Sequence, residues 1–238
     1  MTWSILGRDG DGRFGVAIAS RFFAVGALCA HSRRGVGVLS TQALLNPLYG
    51  PAGLDRLGAG AVAADVVAAL TAEDAGRAHR QLHVLSGTGP PAAYTGAACI
   101  DWCGHLVGDH FSVAGNMLAG PAVIDASAAA YRRAEGQPLA ERLLAALTAG
   151  EAAGGDKRGK QAAALRIHGE QDHLELDLRV DDHAEPVLEL HRLYAVSLER
   201  FQPFMTCLAG RRDPVGLTDR DEIERRIERF HAARRDAA

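Results

Sequence analysis

Apolar residues fill the first 42 positions in short dense runs broken by turn formers, a pattern that predicts consecutive β-strands. Residues 2–8 make the first run, and Asp9-Gly10-Asp11-Gly12 supplies the Asp-Gly pairs of a hairpin turn. Residues 14–20 predict the second strand, with Gly15, Ala17 and Ala19 small enough to let another layer come close. Residues 25–31 and 36–42 predict a second hairpin around Ser32-Arg33-Arg34-Gly35. These runs are too apolar to leave one face in water, so both faces are expected to be covered.

Helical spacing follows. Residues 51–58 carry Pro51 near a helix start, where its missing N–H does no harm. Val62, Val66 and Leu70 recur at helical spacing over 61–72. Strands are predicted at 81–86, 92–98 and 105–114, then helices at 121–134 and 138–152, the second with Leu139, Leu143, Leu144 and Leu147 on one face. A Gly-rich charged link leads to strands at 161–168 and 172–179 and an amphipathic helix at 186–200. Hairpin-grouped strands with paired helices point to α+β layers rather than alternating βαβ units.

The tail is of a different kind. Asp219 and Asp221 sit at the start of a highly charged helix over 219–235, with only Ile223, Ile227 and Phe230 as a thin apolar stripe. The expected organisation is a main domain over 1–201 and a C-terminal helical extension over 202–238, and the charged helix makes a homodimer the expected assembly.

Composition narrows the function classes. Hydrophobic residues are 47%, charged residues 23%, and the net charge is −3, which leaves no basic footprint for nucleic acid. No run approaches the roughly 18 apolar residues of a membrane span. Arg8 and Arg13 with their acidic turn arrive too early for a secretory leader, so the expected location is cytoplasmic. Cys29, Cys99, Cys103 and Cys207 are then expected as thiols. His79 and His83 straddle a helix-to-strand boundary, His105 and His110 flank one strand and point to opposite faces, and His168 and His173 flank a turn, so neither a metal nor another cofactor is expected.

Candidate chemistry lies in four polar, Gly-rich segments at predicted element ends, where a rigid sheet positions loop residues. They are 19–26 with Ser20 and Arg21, 40–47 with Thr41 and Gln42, 114–120 with Asn116, and 154–161 with Asp156, Lys157 and Arg158. Two have plainer alternatives: Gly115-Asn116 as a turn, the 154–161 segment as a solvated linker. Thr2 adds a fifth feature. Removal of Met1 would leave it a free amine with a pKa of about 8 beside its own hydroxyl, and such an amine is a recognised base for a Thr nucleophile.

Taken in order, MTWSILGRDGDGRFGVAIASRFFAVG, STQALLNPLYGPAGLDRL, GNMLAGPAVIDA, LAERLLAAL…AGGDKRGKQAAAL and DLRVDDHAEPVLELHRL resemble an uncharacterised bacterial and archaeal family assigned to the N-terminal nucleophile (Ntn) hydrolases. The resemblance covers residues 1 to about 200. It implies a four-layer αββα sandwich with Thr2 as nucleophile, Arg21 as the nearby basic residue, and Asn116, Thr41 or Gln42 as oxyanion donors. The chain departs from the proteasome-like pattern in lacking an Asp before Ser20-Arg21 and in having no evident partner lysine.

The expected function is therefore an amidohydrolase that cleaves a small amide or ureido C–N bond. Thr2 attacks, Arg21 and Asn116 assist, and Ser20, Thr41, Gln42, Asp156, Lys157 and Arg158 line the substrate, with a carboxylate held by Arg21, Lys157 or Arg158. Ser4, on the same strand face as Thr2, is a second hydroxyl at this place. The alternative is a catalytically inactive Ntn-fold binding or assembly protein. Small molecules are the expected partners, with neither nucleic acid nor membrane.

Overall fold

A computed structural model describes residues 2–236. In chain order the elements are β1 (Thr2–Arg8), β2 (Phe14–Ser20), α1 (Val25–Cys29), β3 (Ala30–Arg33), β4 (Gly37–Ala43), α2 (Tyr49–Gly58) and α3 (Ala63–Ala72). A 3-10 turn over Arg77–His79 precedes β5 (Arg80–Ser86), β6 (Ala92–Thr95), β7 (Trp102–Val107) and β8 (Phe111–Leu118). Then come α4 (Ala122–Arg133), α5 (Leu139–Ala152), β9 (Ala162–His168), β10 (Leu176–Val180), α6 (Pro186–Glu199), α7 (Phe201–Met205) and α8 (Arg220–Asp236).

The strands form two antiparallel sheets, one ordered β10-β9-β2-β1-β8-β7 and the other β3-β4-β5-β6. They face each other through one apolar cluster, Leu6, Phe14 and Val16 from the larger sheet against Ala30, Val38 and Leu85 from the smaller. α4 and α5 pack on the larger sheet, α5 against β1, β2 and β9. Its Leu139, Leu143, Leu144 and Leu147 are all buried, each removing roughly 1.5–3 kcal/mol of apolar exposure. α2 and α3 cover the smaller sheet through Leu54, Leu57, Val66 and Leu70 against Leu39, Leu82 and Val84. β1 and β2 are consequently buried on both faces.

Four sequence expectations change. Residues 25–29 form α1 rather than a strand, because Ala24 turns into the left-handed conformation (φ 51°) and closes the helix start. The strand expected at 105–114 is two, β7 and β8, joined at Gly108-Asp109-His110, so His105 lies on β7 and His110 in the turn. Gly115-Asn116 is no turn: both residues sit inside β8. The expected 172–179 strand starts later, at Leu176.

The chain divides into two compact units, Met1–Leu190 and His191–Ala238. Within the second, α8 is laced by Glu222, which accepts from Arg225 (2.8 Å) and Arg229 (2.6 Å), and of its apolar stripe Ile227 is buried. No helix among the described residues is long and apolar enough to cross a membrane.

Candidate functional site

Thr2 heads the strand at the centre of the larger sheet. In register it pairs with Ser20 on β2 and with Asn116 on β8, and side chains opposed in this way stand about 5 Å apart at Cβ on one face. Thr2 is 5% exposed, and its Oγ1 donates to Ser20 Oγ at 3.1 Å. Ser4, two residues on, shares that face and reaches the smaller sheet, with Oγ 2.8 Å from both Gln42 Oε1 and His83 Nε2.

Between the sheets runs a buried polar chain whose proton positions follow from two backbone carbonyls. Gln81 Nε2 lies 2.8 Å from Gly115 O and 3.1 Å from Gly104 O, and carbonyls only accept. Gln81 Oε1 therefore faces the other way, accepting from Gln42 Nε2 (2.7 Å) and Asn116 Nδ2 (3.0 Å). Gln42 Oε1 must then accept the single proton of Ser4. Having spent it, Ser4 Oγ can only accept from His83 Nε2–H, and His83 Nδ1 accepts from Ser112 Oγ at 2.8 Å. His83 is thus a neutral, fully buried imidazole. Burial pushes its pKa down to about 3, helped by the nearby charge of His105.

This order of donors sets the two hydroxyls apart. A base for Ser4 would need a bare nitrogen facing it, but His83 presents an N–H. Ser4 is a link in the network, and Thr2 is the hydroxyl at the strand end.

The ends of β2 and β8 flank Thr2, and the 153–161 loop is tied to both. Gly154 and Gly155 both take positive φ (112° and 47°), which favours glycine, and bring the loop over the Trp3 ring. Buried Asp156 pins that loop to β2, accepting from the backbone N–H of Arg21 (2.9 Å) and of Arg158 (2.8 Å). Arg21 Nη1 donates to Arg158 O and Arg158 Nη2 to Arg21 O, while Lys157 pairs with Asp101 at 2.9 Å. The three cations are exposed, and each has a partner on the protein.

A pocket of about 300 Å³ opens beside Asn116, walled by Met117, Ala43, Leu44, Cys99 and Ile100. Its backbone is strained. Ala43 (φ 69°) and Met117 (φ 52°) are left-handed, as is Asp101 (φ 57°) next to Ile100, and each costs roughly 1–2 kcal/mol for a residue with a Cβ. Asp74 braces the wall, accepting from Tyr49 Oη (2.8 Å), Arg80 Nε (3.0 Å) and Gly76 N (2.7 Å), while Arg80 Nη1 donates to Leu44 O. Burial alone would raise the Asp74 pKa, but these donors hold it well below the usual carboxylate range.

Of the residues singled out from sequence, Thr2, Ser20 and Asn116 meet at one strand level, and Gln42 joins Asn116 through Gln81. Thr41 points to the other face of β4 and donates to Asn46 O at 3.1 Å, apart from that network. Arg21, Asp156 and Arg158 form the loop clasp. Gln81 and Ser112 join the network without a place in the sequence-based site, and His83 enters as a buried link rather than one of a histidine pair; polar residues two apart in otherwise apolar strands (Ser40 and Gln42, Gln81 and His83) are the signal in the sequence. Among the described residues no three His, Cys, Asp or Glu side chains gather as a metal set.

The chain belongs to the family described as "Family of unknown function (DUF1028)", which matches residues 2–190. A crystal structure of protein SPO2555 from Silicibacter pomeroyi, assigned to the same family, is 30% identical and superposes with a TM-score of 0.84, covering 92% of this chain and 96% of that one. Anbu (ancestral beta-subunit) from Yersinia bercovieri aligns at 12% identity and a TM-score of 0.43 over 82% of this chain and 94% of that one. No curated protein matches the chain.

Proposed function

We propose that the protein is an Ntn-type amidohydrolase that cleaves a small amide or ureido C–N bond through Thr2 once Met1 is removed. The observation that carries this reading is the place of Thr2: first residue of the central strand, buried, flanked in register by Ser20 and Asn116. Met1 itself lies outside the described residues. In this reading α4–α5, the six-stranded sheet, the four-stranded sheet and α2–α3 are the four layers of an αββα sandwich.

The freed amine of Thr2 accepts the Oγ1 proton as Oγ1 attacks the substrate carbonyl carbon. The negative charge that forms on the carbonyl oxygen is met by the second N–H of Asn116, whose first is held by Gln81. The amine returns its proton to the leaving nitrogen, the C–N bond breaks, and an ester remains on Thr2. Water, deprotonated by the same amine, then hydrolyses that ester.

Intact-mass measurement combined with a panel of small anilides and ureido acids tests the reading. A Met1-free protein should turn over at least one, and Thr2→Ala should not. A protein that keeps Met1, or Thr2→Ala that retains full turnover, would leave the non-catalytic binding or assembly protein as the better description.

A further inference from the structure

We infer that the pocket beside Asn116 receives the acyl part of the substrate, and that this part is an uncharged apolar chain. That the occupant is an acyl group rests on the Thr2 reading; its polarity rests on the pocket. Asn116 is both the register partner of Thr2 and part of the pocket wall, so a carbonyl held at Thr2 sends one substituent past Asn116 into this space. The volume of about 300 Å³ gives such a chain room.

The lining selects against charge. Ala43, Leu44, Ala98, Cys99, Ile100 and Met117 form the walls, with His79 and Asn116 as the polar members. Cys99 donates to Arg80 O, and burial pushes its thiol up, so it presents a neutral surface. Leu44 and Ile100 stay 67% and 61% exposed at the rim, where an apolar chain would cover them. The cations nearby are engaged: Arg80 with Asp74 and Leu44 O, Lys157 with Asp101, Arg21 and Arg158 with each other's carbonyls. A substrate carboxylate in this pocket would meet no lysine or arginine among the lining residues.

Calorimetric titration of Thr2→Ala protein, which cannot turn over, with acetate, butanoate, hexanoate and glutarate tests the pocket. Affinity should rise about fourfold per methylene from acetate to hexanoate, with glutarate weaker than hexanoate. Introducing Ile100→Glu, at an exposed position that leaves folding intact, should cost hexanoate tenfold or more and acetate little. A flat series, or glutarate binding more tightly than hexanoate, would overturn the inference. Anilide turnover by the Met1-free protein is read separately. A methylene ladder without any turnover removes the Thr2 reading and leaves the apolar pocket, whereas turnover indifferent to chain length removes the pocket and leaves Thr2.

Discussion

Thr2 and Asn116 stand directly opposite each other on adjacent central strands, one the head of β1 and the other near the end of β8. Replacing Asn116 with Ala should therefore lower turnover by about 10²–10³-fold, the usual effect of losing one oxyanion donor. Gln81 Oε1 would keep its bond from Gln42, so stability should fall by only about 1 kcal/mol. Steady-state kinetics beside urea unfolding separates the two, and unchanged kcat would refute the donor role.

Gln81 is the member of the network with most to lose. Gln81→Leu strips partners from Gln42 Nε2, Asn116 Nδ2 and Gly115 O at once. With about 1–3 kcal/mol for each buried polar group left unpaired, the loss should exceed about 3 kcal/mol in urea unfolding. A loss below 1 kcal/mol would mean that the chain of bonds is not as drawn.

His83 sets an acid limit. Its folded pKa of about 3 lies below the ordinary 6.5, so the unfolded chain takes up the proton first. The stabilisation is complete above pH 6.5 and is lost as pH falls towards 3, by roughly 2–3 kcal/mol at pH 4.5. Asp74, also held low, adds its loss only below the ordinary carboxylate range. Urea midpoints between pH 7 and 4.5 should fall for the native protein and stay flatter for His83→Gln.

Gly150 tests packing against helix propensity. A Cβ there would overlap Ser127 Oγ and come within 2.7 Å of Trp3 Nε1, two buried atoms without a protein partner. Ala gains about 1 kcal/mol as a helix former, but overpacking costs about 1–3. Gly150→Ala should thus lower the thermal midpoint; a rise would show that the space beneath α5 is looser than it stands here.

Much of the fold was legible because long periodic segments carry their own signal. The four leucines of α5 and the apolar runs of β1 and β2 each state a period and a buried face. The structure departs from the sequence pattern where short-range chemistry is ambiguous. The 25–31 run reads as a strand by composition, yet one left-handed Ala24 makes it a helix. The 105–114 run hides a turn at Gly108 inside apolar residues. Asn116 looks like a turn residue because Asn tolerates such backbone, but the sheet holds it extended opposite Thr2.

The sequence by itself determined the alternation of paired strands and helices, the small residues that let layers approach, and the hydroxyl at position 2, since these depend on neighbours in the chain. Only the tertiary structure decided which polar residues meet. Ser4, Gln42, His83, Gln81, Ser112 and Asn116 come from four strands of two sheets, and their protons are ordered by the Gly104 and Gly115 carbonyls that Gln81 reaches across a long stretch of sequence. A hydroxyl becomes a link or a candidate nucleophile according to what faces it across the sheets, and no local pattern records that.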